Sequence, residues 1–299
     1  MILTRRRASA RLIAFAESRP QKPVFAWPKD ISWVDRRSLI NTTTNRKVAW
    51  VTGGGRGIGV EVARLLAKRG FDVGVSSRTL SEVEAVAAEL EGLGISAHAA
   101  VADVTDRIGL TAAHDKIVAA LGPVDVLVCN AGIAASAPFV RTSPELWDRT
   151  LAVNLTGVYN TIKLVLPGMI DAGWGRVINI ASVAGKVAGK YMSAYVASKH
   201  GVVGLTKGIA VEVAAKGVTV NAVCPGFVDT PMTDQTIANI VATTGRSPAQ
   251  ARQALEALSP QRRLMTSNEV AALVGFLVSD DANGIHGQAI NLDGGGTQH

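Results

Sequence analysis

The sequence has few cysteines, few aromatic residues and no long apolar run. Two of its 299 residues are cysteine and 5% are aromatic. Cys129 and Cys224 each lie in an apolar, strand-like run, where a thiol behaves as a small hydrophobe, so no structural disulfide is expected. No stretch approaches the roughly 18 to 20 consecutive apolar residues that cross a bilayer. These absences exclude a disulfide scaffold and a membrane-spanning protein. With no signal peptide recognised, we expect a cytoplasmic location.

The net charge of +7 comes from the N-terminal residues. Residues 1–46 hold ten of the 31 basic residues and three of the 24 acids, so the other 253 residues carry equal numbers of each. A nucleic-acid partner needs basic residues across the fold itself, so we expect none. Residues 1–46 also have three prolines and no periodicity. They are predicted to form a flexible basic extension, and a targeting signal is the less favoured alternative because their apolar piece is short.

From Lys47 onward, short β-branched runs alternate with longer helical patterns. This order is typical of a doubly wound, Rossmann-type α/β domain with helices on both faces of a parallel sheet. The seven predicted strands are 47–52, 71–77, 95–101, 124–129, 175–181, 218–223 and 287–291. The predicted helices are 57–70, 79–93, 105–121, 144–172, 193–216 and 267–279. We predict one domain over residues 47–299, in which residues 226–266, without a strand pattern, are an insertion able to cover a site.

A glycine-rich loop follows the first predicted strand and opens onto a helical pattern. It reads TGGGRGIG, from Thr52 to Gly59. Glycines permit a tight turn and let a diphosphate approach the helix N-terminus, where free N–H groups and the helix dipole favour anions. Because a strand precedes the loop and a helix follows it, a dinucleotide site is favoured over a merely structural turn.

Tyr195 and Lys199 share one face of the predicted helix 193–216, because residues four apart are neighbours on a helix. A nearby ammonium favours the phenolate, so Lys199 is predicted to lower the pKa of Tyr195 from its ordinary value of about 10. Tyr195 would then serve as acid or base near neutral pH. A YxxxK pair alone is common on solvated helices. Here it gains weight from Ser182, which stands 13 residues earlier at the end of a predicted strand.

The ordered set of motifs resembles the short-chain dehydrogenase/reductase family. After TGxxxGxG come, in the family's order, Asp103-Val104, Asn130-Ala131-Gly132, Asn154, Ser182, Tyr195 with Lys199, and Pro225-Gly226 with Thr230. The resemblance covers essentially all of residues 47–299. It implies an oxidoreductase that interconverts a ketone and a secondary alcohol with a nicotinamide cofactor. The implied catalytic set is Asn154, Ser182, Tyr195 and Lys199.

The resemblance also implies what these residues do. Ser182 and Tyr195 would bind the carbonyl oxygen, Lys199 would hold the nicotinamide ribose, and Asn154 would anchor a water-linked proton relay. A core-satisfying amide is the alternative for Asn154. The implied cofactor contacts are Thr52, Gly53, Gly55, Arg56, Gly57, Ile58, Gly59, Ser77, Arg78, Asp103, Val104, Asn130, Ala131, Gly132, Tyr195, Lys199, Pro225, Gly226, Val228 and Thr230.

The end of the second predicted strand bears on which cofactor is used. It reads Ser76-Ser77-Arg78, without the carboxylate with which NAD enzymes bind the ribose hydroxyls. Arg78, with Arg56 from the glycine loop, matches a 2′-phosphate instead. We predict NADPH, with NADH as the alternative. The other interpretation of the two arginines is that they are solvated surface residues without a role in cofactor binding.

The substrate is less well defined by the sequence. Apolar residues predicted to line its pocket are Val183, Met192, Phe227 and Met232. The surrounding sequence looks closest to 3-oxoacyl-thioester and polyketide reductases, so a 3-oxoacyl thioester is the working hypothesis. Carrier-protein docking would need cations before the fifth strand and late in the catalytic helix, where only Lys216 fits. A coenzyme A thioester, a free ketone or a cyclic alcohol therefore stays open.

Other functions and partners are also considered. An alcohol or hydroxyacyl-CoA dehydrogenase working in the oxidative direction is the main alternative, and a non-catalytic cofactor-binding regulator is a further one. The histidines lack ligand spacing, so no metal is expected. The resemblance implies a homotetramer.

Overall fold

Seven parallel strands form the central sheet of the computed structural model, which describes residues 46–134 and 136–298. The strands are β1 Val48–Thr52, β2 Asp72–Ser77, β3 Ala97–Val101, β4 Val124–Cys129, β5 Gly175–Ile180, β6 Val218–Pro225 and β7 Ala289–Leu292. Each overlaps a predicted strand. The predicted α/β class and parallel seven-stranded sheet are confirmed.

The order of the strands reverses beside β1. The sheet runs β3-β2-β1-β4-β5-β6-β7, so the chain moves outward to β3 and then returns to place β4 on the other side of β1. Thr52 at the end of β1 is therefore in register with both Ser76 and Cys129. A doubly wound sheet binds its ligand in the crevice outside the carboxyl ends of the strands at such a reversal.

Helices cover both faces of the sheet. They are α1 Ile58–Lys68, α2 Leu80–Glu91, α3 Arg107–Leu121, α4 Pro144–Leu151, α5 Gly157–Ala172, α6 Ser193–Val213, α7 Pro231–Thr244, α8 Pro248–Glu256 and α9 Ser267–Val278. One core joins α1, α2 and α9 to the sheet, and a second joins α3, α5 and α6 to the opposite face. Because side chains alternate along a strand, Ala49 and Val51 enter the first core and Trp50 the second.

The predicted insertion at 226–266 contains two helices that the sequence pattern did not reveal, α7 and α8. Pro231 and Pro248 lie in their first turns, where a missing backbone N–H costs no hydrogen bond. These prolines therefore start helices. The base of the segment is closed, because Met265 donates its N–H to Phe227 O at 2.9 Å and Asp229 donates to Met265 O at 2.8 Å.

The single helix predicted over 144–172 is interrupted. A π-helical turn, Ala152–Thr156, separates α4 from α5. Such turns are rare and are frequent at functional sites. Asn154, one of the predicted site residues, lies in this turn and is fully buried.

The predicted basic extension, residues 1–46, lies outside the described residues except for Arg46. All described residues belong to one compact unit.

Ile117 of α3 gives a test of the second core. Its side chain is fully buried and lies against Gly74 of β2. We expect Ile117→Ala to lower the free energy of unfolding by about 2–5 kcal/mol, measured by urea denaturation, because the methyl groups leave a cavity. Ile108→Ala, on the same helix but 84% exposed, should change it by less than about 0.5 kcal/mol. Equal effects of the two substitutions would contradict this packing.

Candidate active site

Ser182 and Tyr195 meet at the carboxyl end of β5. Ser182 follows that strand, and its hydroxyl accepts a hydrogen bond from the backbone N–H of Ala184 at 3.1 Å. Tyr195 lies in the first turn of α6 and is hydrogen-bonded by the Ser182 side chain. The two hydroxyls therefore lie within hydrogen-bonding range of each other.

Lys199 lies one turn further along α6, with its amine buried beneath the site. Its side chain is almost completely buried, and Nζ donates a hydrogen bond to Ile180 O, the last residue of β5, at 2.9 Å. Burial lowers the pKa of Lys199 to about 8, because an ammonium loses hydration there. The thiol of Cys224 partly opposes this decrease.

The predicted decrease in the pKa of Tyr195 is wrong for this geometry. Burial raises the pKa of the Tyr195 phenol, and the hydrogen bond from Ser182 only partly opposes that rise. Lys199 Nζ lies 5.7 Å from the centre of the tyrosine ring and hydrogen-bonds Ile180. Desolvation of the phenolate therefore outweighs the attraction that the sequence argument assigned to Lys199.

The side chain of Asn154 holds two elements together. Its Oδ1 accepts from Ile133 N at 2.8 Å, while its Nδ2 donates to Ile133 O at 2.9 Å and to Ser198 Oγ at 3.2 Å. A Cβ atom added at Gly132 would lie 3.4 Å from this Oδ1 and 3.8 Å from Lys199 Nζ. Asn154 thus lies near Lys199, and its amide fastens the loop after β4 to α6.

The glycine loop has free donors where an anion would bind. Gly57, with φ of 58°, precedes α1, and no side chain caps this helix. An L-residue other than glycine rarely adopts that conformation. The first N–H groups of α1 therefore remain available to a diphosphate, which is the fit that a dinucleotide requires.

Asn130 and Thr52 support this loop from below. Asn130 Nδ2 donates to Thr52 O at 3.1 Å and to Gly53 O at 3.0 Å. The Thr52 hydroxyl accepts from Asn130 N at 3.1 Å and is buried. Both side chains therefore brace the crevice, and their predicted contact with the cofactor stays a prediction.

Two exposed arginines and one acid that was not predicted lie around the glycine loop and the carboxyl end of β2. Arg56 and Arg78 are exposed and Ser77 is half-buried. A Cβ atom added at Gly55 would lie 3.0 Å from the Glu82 carboxylate, so an acid of α2 faces the glycine loop. Glu82 was not predicted because it belongs to the following helix and not to the residues directly after β2.

Asp103 and Val104 follow β3. The Asp103 carboxylate accepts from Thr105 N at 2.9 Å and from Thr105 Oγ1 at 2.7 Å. Burial works to raise the pKa of Asp103, but these bonds and the charges of Arg78 and Arg149 lower it overall. The carboxylate is therefore ionised at neutral pH.

The loop after β6 approaches the glycine loop. A Cβ atom added at Gly57 would lie 3.5 Å from the Thr230 methyl group. Thr233 Oγ1 donates to Val228 O at 2.5 Å. The hydrogen bonds to Met265 at the base of the segment use Phe227 O and Asp229 N. Successive residues of an extended chain alternate in direction, so the Val228 N–H points away from Met265. The predicted contact residues Pro225, Gly226, Val228 and Thr230 thus adjoin the crevice.

The remaining predicted residues lie at the same edge of the sheet. Ile58 begins α1, and Ala131 and Gly132 follow β4. The predicted pocket residues Val183, Met192 and Phe227 are half-buried, while Met232 on α7 is 43% exposed.

The sequence analysis also missed the position of Cys224 at the site. Its free, buried thiol lies beside Ser182 and Lys199, and burial raises its pKa.

Two kinds of feature are absent from the described part of the chain. None of its helices is long and apolar enough to cross a membrane. Nor do three or more of its His, Cys, Asp or Glu side chains group as metal ligands.

Comparison with known families decides how this arrangement is classified. The family model for short chain dehydrogenases matches residues 47–240. The chain belongs to this family. It is therefore an oxidoreductase with a nicotinamide cofactor, and the predicted membership is confirmed.

The similar proteins include some that are named reductases and one that is named a dehydrogenase. A ketoacyl reductase assigned to the monensin polyketide synthase of Streptomyces virginiae is 41% identical over 85% of this chain and 98% of its own length. D-beta-hydroxybutyrate dehydrogenase of Rhizobium meliloti is 39% identical over 84% of this chain and 98% of its own length. A solved structure of an actinorhodin polyketide ketoreductase variant with NADPH has a TM-score of 0.83 and 38% identity, covering 85% of this chain and 98% of that one.

The buried amine of Lys199 makes stability depend on pH. Its pKa is about 8 in the fold and about 10.5 when unfolded, so the unfolded chain binds more protons between these values and stability rises with pH there. We expect the unfolding free energy of the wild type, relative to Lys199→Met, to rise by on the order of 3 kcal/mol across that window. Urea denaturation at both ends of the window measures it, and a constant difference would contradict the shift.

Proposed function

We propose that this short-chain dehydrogenase reduces a ketone to a secondary alcohol. The observation that carries the proposal is the meeting of Ser182, Tyr195 and Lys199 at the carboxyl end of β5. This cluster lies at the same edge of the sheet as the uncapped N-terminus of α1. A proton donor and a dinucleotide crevice therefore open onto one space.

The crevice residues would hold the cofactor as follows. The free N–H groups at the start of α1 would bind the diphosphate. The Val228 N–H and the Thr230 hydroxyl would bind the carboxamide, and Lys199 would bind the nicotinamide ribose. When bound, the reduced nicotinamide supplies hydride to the carbonyl carbon.

Ser182 and Tyr195 act on the carbonyl oxygen. The Ser182 hydroxyl donates a hydrogen bond to it, which stabilises the negative charge that develops there. The Tyr195 phenol gives the oxygen its proton. Asn154 holds the loop after β4 in place beside Lys199 and so keeps the amine in register with the tyrosine.

At neutral pH the Tyr195 phenol is protonated, and burial, which raises its pKa, keeps it so. The protonated phenol can donate to a carbonyl oxygen, whereas alcohol oxidation requires the phenolate. The oxidative alternative is therefore less well supported, although one similar protein is named a dehydrogenase.

We propose a 3-oxoacyl thioester as the substrate. The named ketoacyl and polyketide reductases support it, as do the half-buried apolar residues Val183 and Phe227. Coenzyme A is the better carrier. Arg176, near the start of β5, is 1% exposed and hydrogen-bonded to Asn283, so it is withdrawn from an acidic carrier protein, although exposed Lys47 lies over Trp174 beside it.

We propose NADPH as the preferred cofactor. Exposed Arg56 and Arg78 supply positive charge beside the glycine loop, and the ketoreductase of similar fold was solved with NADPH. Glu82 opposes this preference, because a carboxylate repels a 2′-phosphate.

We further propose a cytoplasmic homotetramer. Free cysteines in the described core suit a reducing compartment. Exposed apolar side chains on α5 and α6, Tyr159 and Val211, and the half-exposed edge strand β7 offer surfaces for association. Residues 47–299 would form the catalytic domain.

Tyr195→Phe tests the reaction. We expect NADPH oxidation with acetoacetyl-CoA to fall by at least about 100-fold, because general acid catalysis contributes 10²–10⁴-fold. The Kd for NADPH, measured by cofactor fluorescence, should change less than about twofold, because the ring remains. Tyr191→Phe, on an exposed side chain outside the cluster, is the matched control and should retain activity.

Wild-type activity across a panel of acetoacetyl-CoA, a carrier-bound analogue and a cyclic ketone identifies the substrate class. Retained turnover in Tyr195→Phe would refute the assigned acid. Intact NADPH binding without any turnover across the panel would favour the regulator interpretation.

Arg78→Ala tests the cofactor preference. Loss of a charged partner of the 2′-phosphate should cost about 1.5–3 kcal/mol, so kcat/KM for NADPH should fall at least about tenfold while that for NADH changes little. Glu82→Gln should shift the ratio in the opposite direction. Better use of NADH than of NADPH by the wild type would contradict the proposal.

A further inference from the structure

A forked ion pair joins α8 to the loop after β6. Arg252 Nη1 lies 3.2 Å from Asp229 Oδ1, and Nη2 lies 2.8 Å from Oδ2. Two parallel bonds from one guanidinium fix direction as well as distance. A third N–H of the guanidinium is also used, because Nε donates to Glu256 Oε1 at 3.0 Å within α8. The guanidinium is therefore oriented by its own helix before it reaches Asp229.

Asp229 lies between two residues that matter for the cofactor. Val228 and Thr230 are the loop residues assigned above to the carboxamide. The backbone N–H of Asp229 bonds Met265, while its side chain is held by Arg252. The conformation of the Val228–Thr230 loop is thus fixed from one side by the base of the segment and from the other by α8.

Apart from this pair, the loop is held by the first turn of α7, where Thr233 Oγ1 donates to Val228 O at 2.5 Å, and α8 is anchored by the buried side chains of Ala251 and Leu255. α7 buries only Thr233 among its described side chains and packs mainly against α8. Beyond α8, Ser259 Oγ bonds Asp293 O at 3.1 Å. The Arg252–Asp229 pair is therefore the charged contact that ties the middle of the segment to the cofactor loop.

We infer that Arg252 is a positioning residue, whose fork on Asp229 holds the Val228–Thr230 loop in the conformation that binds the nicotinamide. The inference rests on the proposed function. The pair is exposed by 39% and 51%, so salt screens it and its contribution is modest. Its loss should weaken cofactor binding several-fold and leave the proton-donating cluster intact.

The test compares Arg252→Ala and Asp229→Asn with the wild type in the full chain. Each should raise the KM for NADPH about threefold to fivefold and change kcat less than twofold. Arg252→Lys keeps the charge but loses the fork, so its KM should fall between those of the wild type and Arg252→Ala. Added salt should raise the KM of the wild type towards that of Asp229→Asn.

Glu89→Gln is the matched control. Glu89 accepts a similar fork from Arg64 between α1 and α2, at 2.7 Å for both bonds and with similar exposure. This variant should leave the KM for NADPH unchanged. A KM for Asp229→Asn equal to that of Glu89→Gln overturns the inference.

Hydrogen exchange separates this inference from the proposed function. In the cofactor-free protein, the amides of α7 and α8 should exchange faster in Arg252→Ala and Asp229→Asn than in the wild type and in Glu89→Gln. Unchanged exchange overturns the positioning role even if the enzyme is active. A wild type without NADPH turnover refutes the proposed function, and faster exchange then still supports the attachment of α8 by Arg252.

Discussion

The hydrogen bonds from Asn130 to the backbone of Thr52 and Gly53 secure the point on which the site depends. They join the ends of β1 and β4, where the order of the strands reverses. Because all seven described strands are parallel, every loop that follows a strand emerges at this edge. The parallel direction of the strands therefore brings together three loops that are far apart in the sequence: the glycine loop, the Ser182 loop and the Val228–Thr230 loop.

Burial at this edge shifts the pKa values of the tyrosine and the lysine in the cluster. It raises the pKa of Tyr195 and lowers that of Lys199. Both shifts favour the uncharged form, which is the expected result of removing water. The amine retains one backbone carbonyl, that of Ile180, as partner. The fold therefore buries the Lys199 amine, at a cost in stability, where the proposed reaction needs it. Perturbed pKa values of this kind are typical of active sites.

Regular patterns in the sequence were sufficient for the sheet, because β-branched runs and three- to four-residue periodicity are local properties. Spacing was also sufficient to place Tyr195 and Lys199 on one face of a helix, and the family resemblance added Ser182. Properties that depend on tertiary contacts were not accessible. The approach of Glu82 to Gly55 joins separate elements, and the pKa of Tyr195 depends on how deeply α6 is buried. Residues 226–266 showed no strand pattern in the sequence, and the two helices there begin at Pro231 and Pro248, in the first turn.

The closed base of residues 227–265 separates specificity from architecture. Since Phe227, Asp229 and Met265 already hold its two ends together, chain added or removed between them leaves the strand pairing untouched. The entropic penalty of a longer loop grows only logarithmically, by about 0.6 kcal/mol for each doubling. The segment between these two ends can thus be replaced, in evolution or by protein engineering, without a change in the sheet. A different molecule can then be recognised on the same architecture.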